Sequence, residues 1–111
     1  MILFKDPDKQ RQYAKLNKKL KRIVRTLEYL AEDLYGDDIV ITSIFREQEG
    51  SVHRYYRGVD IAILEIGGMD GSERIRRAIN ILYPYDMNRL KVLTVPILTH
   101  GTAPHFHLQV K

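Results

Sequence analysis

HFHLQV, residues 105–110, sets two histidines on alternate positions and fills the positions between and after them with Phe106, Leu108 and Val110. Successive side chains of a strand point to opposite faces, so His105, His107 and Gln109 share one face and the apolar three share the other. The same two-residue step runs through VDIAI, residues 59–63, where Val59, Ile61 and Ile63 point one way and Asp60 and Ala62 the other. If the apolar faces of both strands pack under one long helix, Asp60, His105 and His107 emerge together on the opposite side of one sheet. Imidazoles and a carboxylate converging there form a ligand set for a divalent cation, and nitrogen and oxygen donors without sulfur favour zinc. His53, seven positions before Asp60 on a predicted loop that feeds the same strand, supplies a third donor.

Composition sets the frame around this face. A chain of 111 residues with 44% hydrophobic content closes one modest core, so a single domain over residues 1–111 is expected. The absence of cysteine excludes disulfides and thiolate metal sites, leaving histidine, aspartate and glutamate as the available ligands. No run is long enough to span a bilayer, and MILFKDPDKQRQ, residues 1–12, is not a signal peptide. The expectation is synthesis in the cytoplasm, no membrane partner and a monomer.

The net charge of +4 and the pI near 9.4 arise mainly in KLNKKLKRIVRTLEYLAEDLYG, residues 15–36. Leu16, Leu20, Ile23, Val24, Leu27, Leu30, Ala31 and Leu34 recur at helical steps there, which predicts one long amphipathic helix from about Pro7 or Asp8 to Tyr35, ended by Gly36. Its basic residues read either as attraction for polyanions, nucleic acid or anionic wall polymers, or as a solvated face, and the solvated face is favoured because Glu28, Glu32 and Asp33 reverse the sign further along. No paired recognition helix or base-stacking motif accompanies them, so nucleic acid is not the expected partner.

DIVITSIF, residues 38–45, reads as a strand, and REQEGSVHRYYRG, residues 46–58, as a loop. VDIAILEI, residues 59–66, is a second strand, and GGMDGS turns into a helix from about Ser72 to Leu82 whose inner stripe is Ile75, Ala78, Ile79 and Leu82. KVLTVPIL, residues 91–98, is a strand whose Pro96 favours an edge or a bulge, before the final strand HFHLQV. The expected fold class is α+β: a small antiparallel sheet with helices packed on one face and the candidate zinc ligands on the other.

SVHRYYRGVDI, residues 51–61, followed by PHFHLQV, residues 104–110, resembles the zinc DD-peptidases and LD-endopeptidases that cut bacterial cell-wall peptides, and the related amino-terminal domain of hedgehog proteins. Those families carry a serine, a histidine two residues on and an aspartate seven after that, with His-x-His or Glu-x-x-His near the end. Ser51, His53 and Asp60 match the first element, and His105 with His107 the second. ITSIFREQ, residues 41–48, is similar to the strand and arginine that precede the first ligand, so the resemblance covers residues 39 to 111.

The resemblance implies zinc (Zn2+) held by His53, Asp60 and His107, with a fourth position open for water or a scissile carbonyl. It implies that His105 stabilises developing charge or assists proton transfer, that Arg46 engages a substrate carboxylate or carbonyl, and that Ser51 orients substrate. Two departures stand out. The carboxylate base that many of the peptidases place three residues before the last ligand is replaced by Pro104, with Thr102 and Gly101 at the other positions where an acid is expected; His100 is the candidate substitute. The glycine usual three after the first histidine is Tyr56, a candidate wall of the substrate groove, and the alanine usual two before the aspartate is Gly58. The function implied is a zinc-dependent peptidase hydrolysing peptidoglycan stem peptides, either a D-Ala-D-Ala carboxypeptidase or an L-Ala-D-Glu-type endopeptidase. The size of the domain suits a phage lysis enzyme released to the cell wall by another route. The alternative is a catalytically degenerate relative that keeps zinc and binds a peptide or protein.

Overall fold

The computed structural model describes residues 1–45, 55–62, 66–83, 95–97 and 105–110. In chain order these form β1 (Ile2–Phe4), α1 (Pro7–Tyr13), α2 (Lys18–Tyr35), β2 (Ile39–Ser43), β3 (Gly58–Ala62), α3 (Gly68–Leu82), β4 (Val95–Ile97) and β5 (His105–Gln109). The strands build one sheet in the order β1-β2-β3-β5-β4. The class is α+β as expected, but the sheet is mixed rather than antiparallel. Ile2, Leu3 and Phe4 pair in parallel with Ile39, Val40 and Ile41, while β2 with β3, β3 with β5 and β5 with β4 are antiparallel. Parallel neighbours need a crossover, and α1 and α2 together provide it. A strand of three residues carries too little periodicity to stand out in the sequence.

The single long helix is also corrected, into two. Across the junction, Ala14, Lys15 and Leu16 donate to the carbonyls of Arg11, Gln12 and Tyr13, a tightening that ends α1. Asn17 then gives its N–H to the Tyr56 carbonyl at 2.9 Å, and its side-chain oxygen accepts from the backbone N–H groups of Lys19 and Leu20. Asparagine is a strong N-cap because it satisfies helix donors that have no carbonyl partner. Leu16 stays buried through the turn, so the apolar spacing survives although the helix does not. Gly36, at φ 67°, closes α2 in the left-handed region, and its N–H returns to the last turn.

Leu20, Ile23, Val24, Leu27 and Ala31 of α2, with Ile75 and Ile79 of α3, pack in one cluster with Ile39, Ile41, Val59, Ile61, Phe106 and Leu108 of the sheet. Each large side chain buried this way contributes roughly 1.5–3 kcal/mol. Leu34 and Leu82, expected on the inner stripes, lie in the last turns of α2 and α3 and are exposed. α3 begins at Gly68, earlier than expected, after Gly67 in the left-handed region, and both Gly67 and Gly71 accept the ring of Tyr35. A Cβ on Gly67 would stand 2.8 Å from the Tyr35 ring, and one on Gly71 2.9 Å from it. β4 is the terminal strand on its side of the described sheet, in keeping with Pro96. None of the described helices is long and apolar enough to cross a membrane.

Candidate metal centre

β3 and β5 place the candidate ligands. Their antiparallel register sets Val59 opposite Leu108, Asp60 opposite His107, Ile61 opposite Phe106 and Ala62 opposite His105. Val59, Ile61, Phe106 and Leu108 are wholly buried in the core, which sends Asp60, His105, His107 and Gln109 to the face that α2 and α3 leave uncovered. Residues directly opposite on neighbouring strands bring their side chains into contact. Accordingly, His107 Nδ1 lies 2.9 Å from Asp60 Oδ1. The Asp60 side chain is 10% exposed and that of His107 20%, so the pair is largely shielded yet open on one side.

The 2.9 Å contact is a hydrogen bond in which the ring N–H donates to the carboxylate. Two donors on one tetrahedral zinc, each about 2.1 Å from it, stand roughly 3.4 Å apart. The pair thus needs only a small parting to share a cation in place of the proton, and an oxygen and a nitrogen donor in a chain without cysteine are the chemistry zinc accepts. The donor types of this pair are ones zinc accepts, and two of the three ligands that the resemblance assigns are in contact. Among the described residues no group of three or more histidine, aspartate or glutamate side chains gathers. His53, the expected third ligand, lies outside the described residues, as do Arg46, Ser51 and His100.

Two further polar neighbours escaped the sequence reading. The Gln109 side-chain oxygen lies 2.9 Å from His107 Nε2. A carboxamide has both an acceptor and donors, so it can partner that nitrogen whether or not it carries a proton. Such outer partners orient a ligating imidazole and fix which nitrogen faces the metal. The signal was present in the i, i+2, i+4 spacing of His105, His107 and Gln109 on one strand face. Ser43 is the other. β2 carries an irregularity between Ile41 and Ser43, so that Ser43 rather than Thr42 stands opposite Asp60. The extra residue reverses the alternation, and Ile44, not Ser43, enters the core. Thr42 Oγ1 donates to the Asp60 carbonyl at 3.3 Å across this bulge.

His105 lies on the same strand face as His107, about 7 Å along the chain from it. Tyr56 is held elsewhere. Its ring stacks on Phe45 at 5.1 Å between centroids, and it lines a groove with Asp8, Arg11, Gln12 and Lys15 of the α1 side. Its backbone has φ 57°, left-handed geometry that tyrosine rarely adopts and glycine adopts freely. Compared with known protein families, with curated proteins and with solved structures, the chain matches none of them.

Proposed function

We propose that this chain is a zinc-dependent peptidase acting on peptidoglycan stem peptides, as a D-Ala-D-Ala carboxypeptidase or an L-Ala-D-Glu-type endopeptidase. The observation that carries the reading is the cross-strand contact of Asp60 with His107 on the sheet face opposite the helices. These are two of the three ligands that the resemblance assigns, brought together by register alone. The left-handed backbone of Tyr56 supports it too, because the families that the sequence resembles have glycine at that position.

His53, Asp60 and His107 would hold the zinc ion, which when bound supplies Lewis acidity at neutral pH. Asp60 neutralises part of the ion's charge, and its anchorage in the middle of β3 fixes its position. His107 is oriented by Asp60 on one nitrogen and Gln109 on the other. His105, on the same face, can donate a hydrogen bond to an oxygen that gains charge as the peptide carbonyl is attacked. Arg46 would grip a substrate carboxylate through its planar fork of donors, and Ser51 would orient the peptide. His100 is the proposed base.

A second reading has one specific observation behind it: Pro104 stands where the resemblance expects the catalytic carboxylate. On that reading the chain keeps zinc and binds a peptide without cutting it. Incubating the zinc-loaded protein with purified peptidoglycan and resolving the soluble products by mass spectrometry separates the two. The peptidase reading expects shortened stem peptides or free D-alanine, lost on chelation and restored by zinc. Intact peptidoglycan at every pH with one zinc bound overturns catalysis and leaves the binder.

A further inference from the structure

Residues 1–27 hold nine lysines and arginines against Asp6 and Asp8, a net charge of +7, while the remainder of the chain is net −3. α1 keeps its two acids occupied locally, Asp6 with Lys9 and Asp8 with Arg11. Lys15, Lys18, Lys19 and Arg22 are exposed and have no acidic partner among the described residues. Lys18, Lys19 and Arg22 recur at three- and four-residue steps along an outer stripe of α2 that continues to Arg25, and Lys15 stands in the turn that leads into it.

This arrangement works against the helix that carries it. A helix is stabilised by acids in its first turn and cations in its last, because its N-terminus bears partial positive charge. α2 has the reverse: no acid in the first turn, no cation in the last, Lys18 and Lys19 at the start and Glu28, Glu32 and Asp33 toward the end. Lys18 with Arg22 and Lys21 with Arg25 add like-charge repulsion at four-residue spacing. Nothing in the packing requires it, since Leu20, Ile23, Val24 and Leu27 make the core contacts from the other side of the helix. Local choices that oppose stability without a packing reason mark a surface shaped for something outside the fold.

We propose that the outer stripe of the α1–α2 unit, Lys15, Lys18, Lys19, Arg22 and Arg25, docks an anionic cell-wall glycopolymer with repeating phosphodiester charges. The choice of polymer rests on the peptidase reading above. Charge complementarity and spacing fit a repeating anion, since successive cations rise by about 5–6 Å per helical turn. Residues 15–25 contain no aromatic, and Tyr56, which lines a groove with Lys15, already stacks its ring on Phe45, which favours a polymer without bases over single-stranded nucleic acid. α2 lies on the helical side of the sheet and the Asp60–His107 pair on the other, so a polymer held on the stripe does not contact that pair.

The test is co-sedimentation of the full chain with cell walls that retain their phosphodiester glycopolymer and with the same walls chemically stripped of it. Retained walls should bind at least tenfold more protein, and binding should fall steeply as salt rises. The triple variant Lys18→Glu, Lys19→Glu, Arg22→Glu should lose that binding while its thermal midpoint stays the same or rises, because the substitutions improve the charge pattern of α2. Equal binding to both walls, variant binding like the parent's, or tighter binding to a DNA duplex than to retained walls overturns the proposal. Peptide release from stripped walls, measured in parallel, reports on the peptidase reading alone: release without charge-dependent docking sinks only the docking surface, and docking without release sinks only the peptidase.

Discussion

The two faces of the β3–β5 pair are made by the same ten residues and differ in everything except their origin. On one side Val59, Ile61, Phe106 and Leu108 are fully buried beneath the helices, while on the other buried Asp60 and half-buried His107 and Gln109 form a chain of hydrogen bonds. Alternation alone separates them, so a slip of one residue in register would carry every ligand into the core and every core side chain into water. The apolar face thereby holds the polar one in register. The stability of the first is what gives the second its geometry.

Breaking the apolar face should have the largest effect. Phe106→Ala removes a fully buried ring from β5 and should cost about 3–5 kcal/mol in denaturant unfolding, with metal affinity falling in step as the strand loosens. Asp60→Ala strikes the polar face: it leaves the His107 ring donor without its carboxylate and should cost about 1–3 kcal/mol of stability. It should also abolish stoichiometric zinc binding in a chelator-competition titration, which Phe106→Leu should preserve.

Gln109→Leu sharpens the comparison, because it leaves the strand and both proposed ligands intact. Zinc affinity should drop about 10–100-fold, the usual cost of losing an outer partner of a ligating imidazole, with unfolding stability nearly unchanged. The smallest effect lies away from both faces, on α3. The hydrogen bond from Arg76 to Glu73, 2.5 Å, lowers the carboxyl below its ordinary value, with further help from Arg77. A lowered folded pKa contributes stability that is whole above the ordinary glutamate range and fades as pH falls through the lowered value. Glu73→Gln should therefore cost a few tenths of a kcal/mol at neutral pH and nothing in strong acid, read by thermal unfolding across pH.

What could be read from the sequence divides along the same physical line. The apolar stripe of α2 and the alternation of β3 and β5 are repeated signals in which several residues agree, while the edge position of β4 was legible from the single Pro96. The junction at residues 14–17 is set by one asparagine cap against a continuous apolar spacing, and Leu16 satisfies both arrangements. β1 is three residues long, and the bulge in β2 is a single added residue whose presence only the partner strand reveals. For the site, Asp60 with His107 followed from parity. Gln109 lay on the face already identified, but its role depended on a hydrogen bond that spacing does not specify. Ser43 became a neighbour of Asp60 only through the bulge. Tyr56 stacks on Phe45 because β3 starts from a left-handed turn tied to the α1–α2 junction, a tertiary constraint with no local signature.

The central claim is that the face of β3 and β5 opposite the helices holds one zinc ion through Asp60 and His107. Zinc-edge X-ray absorption on the protein loaded with one equivalent measures this most directly. The account predicts a four-coordinate shell of nitrogen and oxygen near 2.0–2.1 Å with the outer scattering of two imidazoles, reduced to one in His107→Ala. A shell without imidazole scattering, or one left unchanged by His107→Ala, would contradict it.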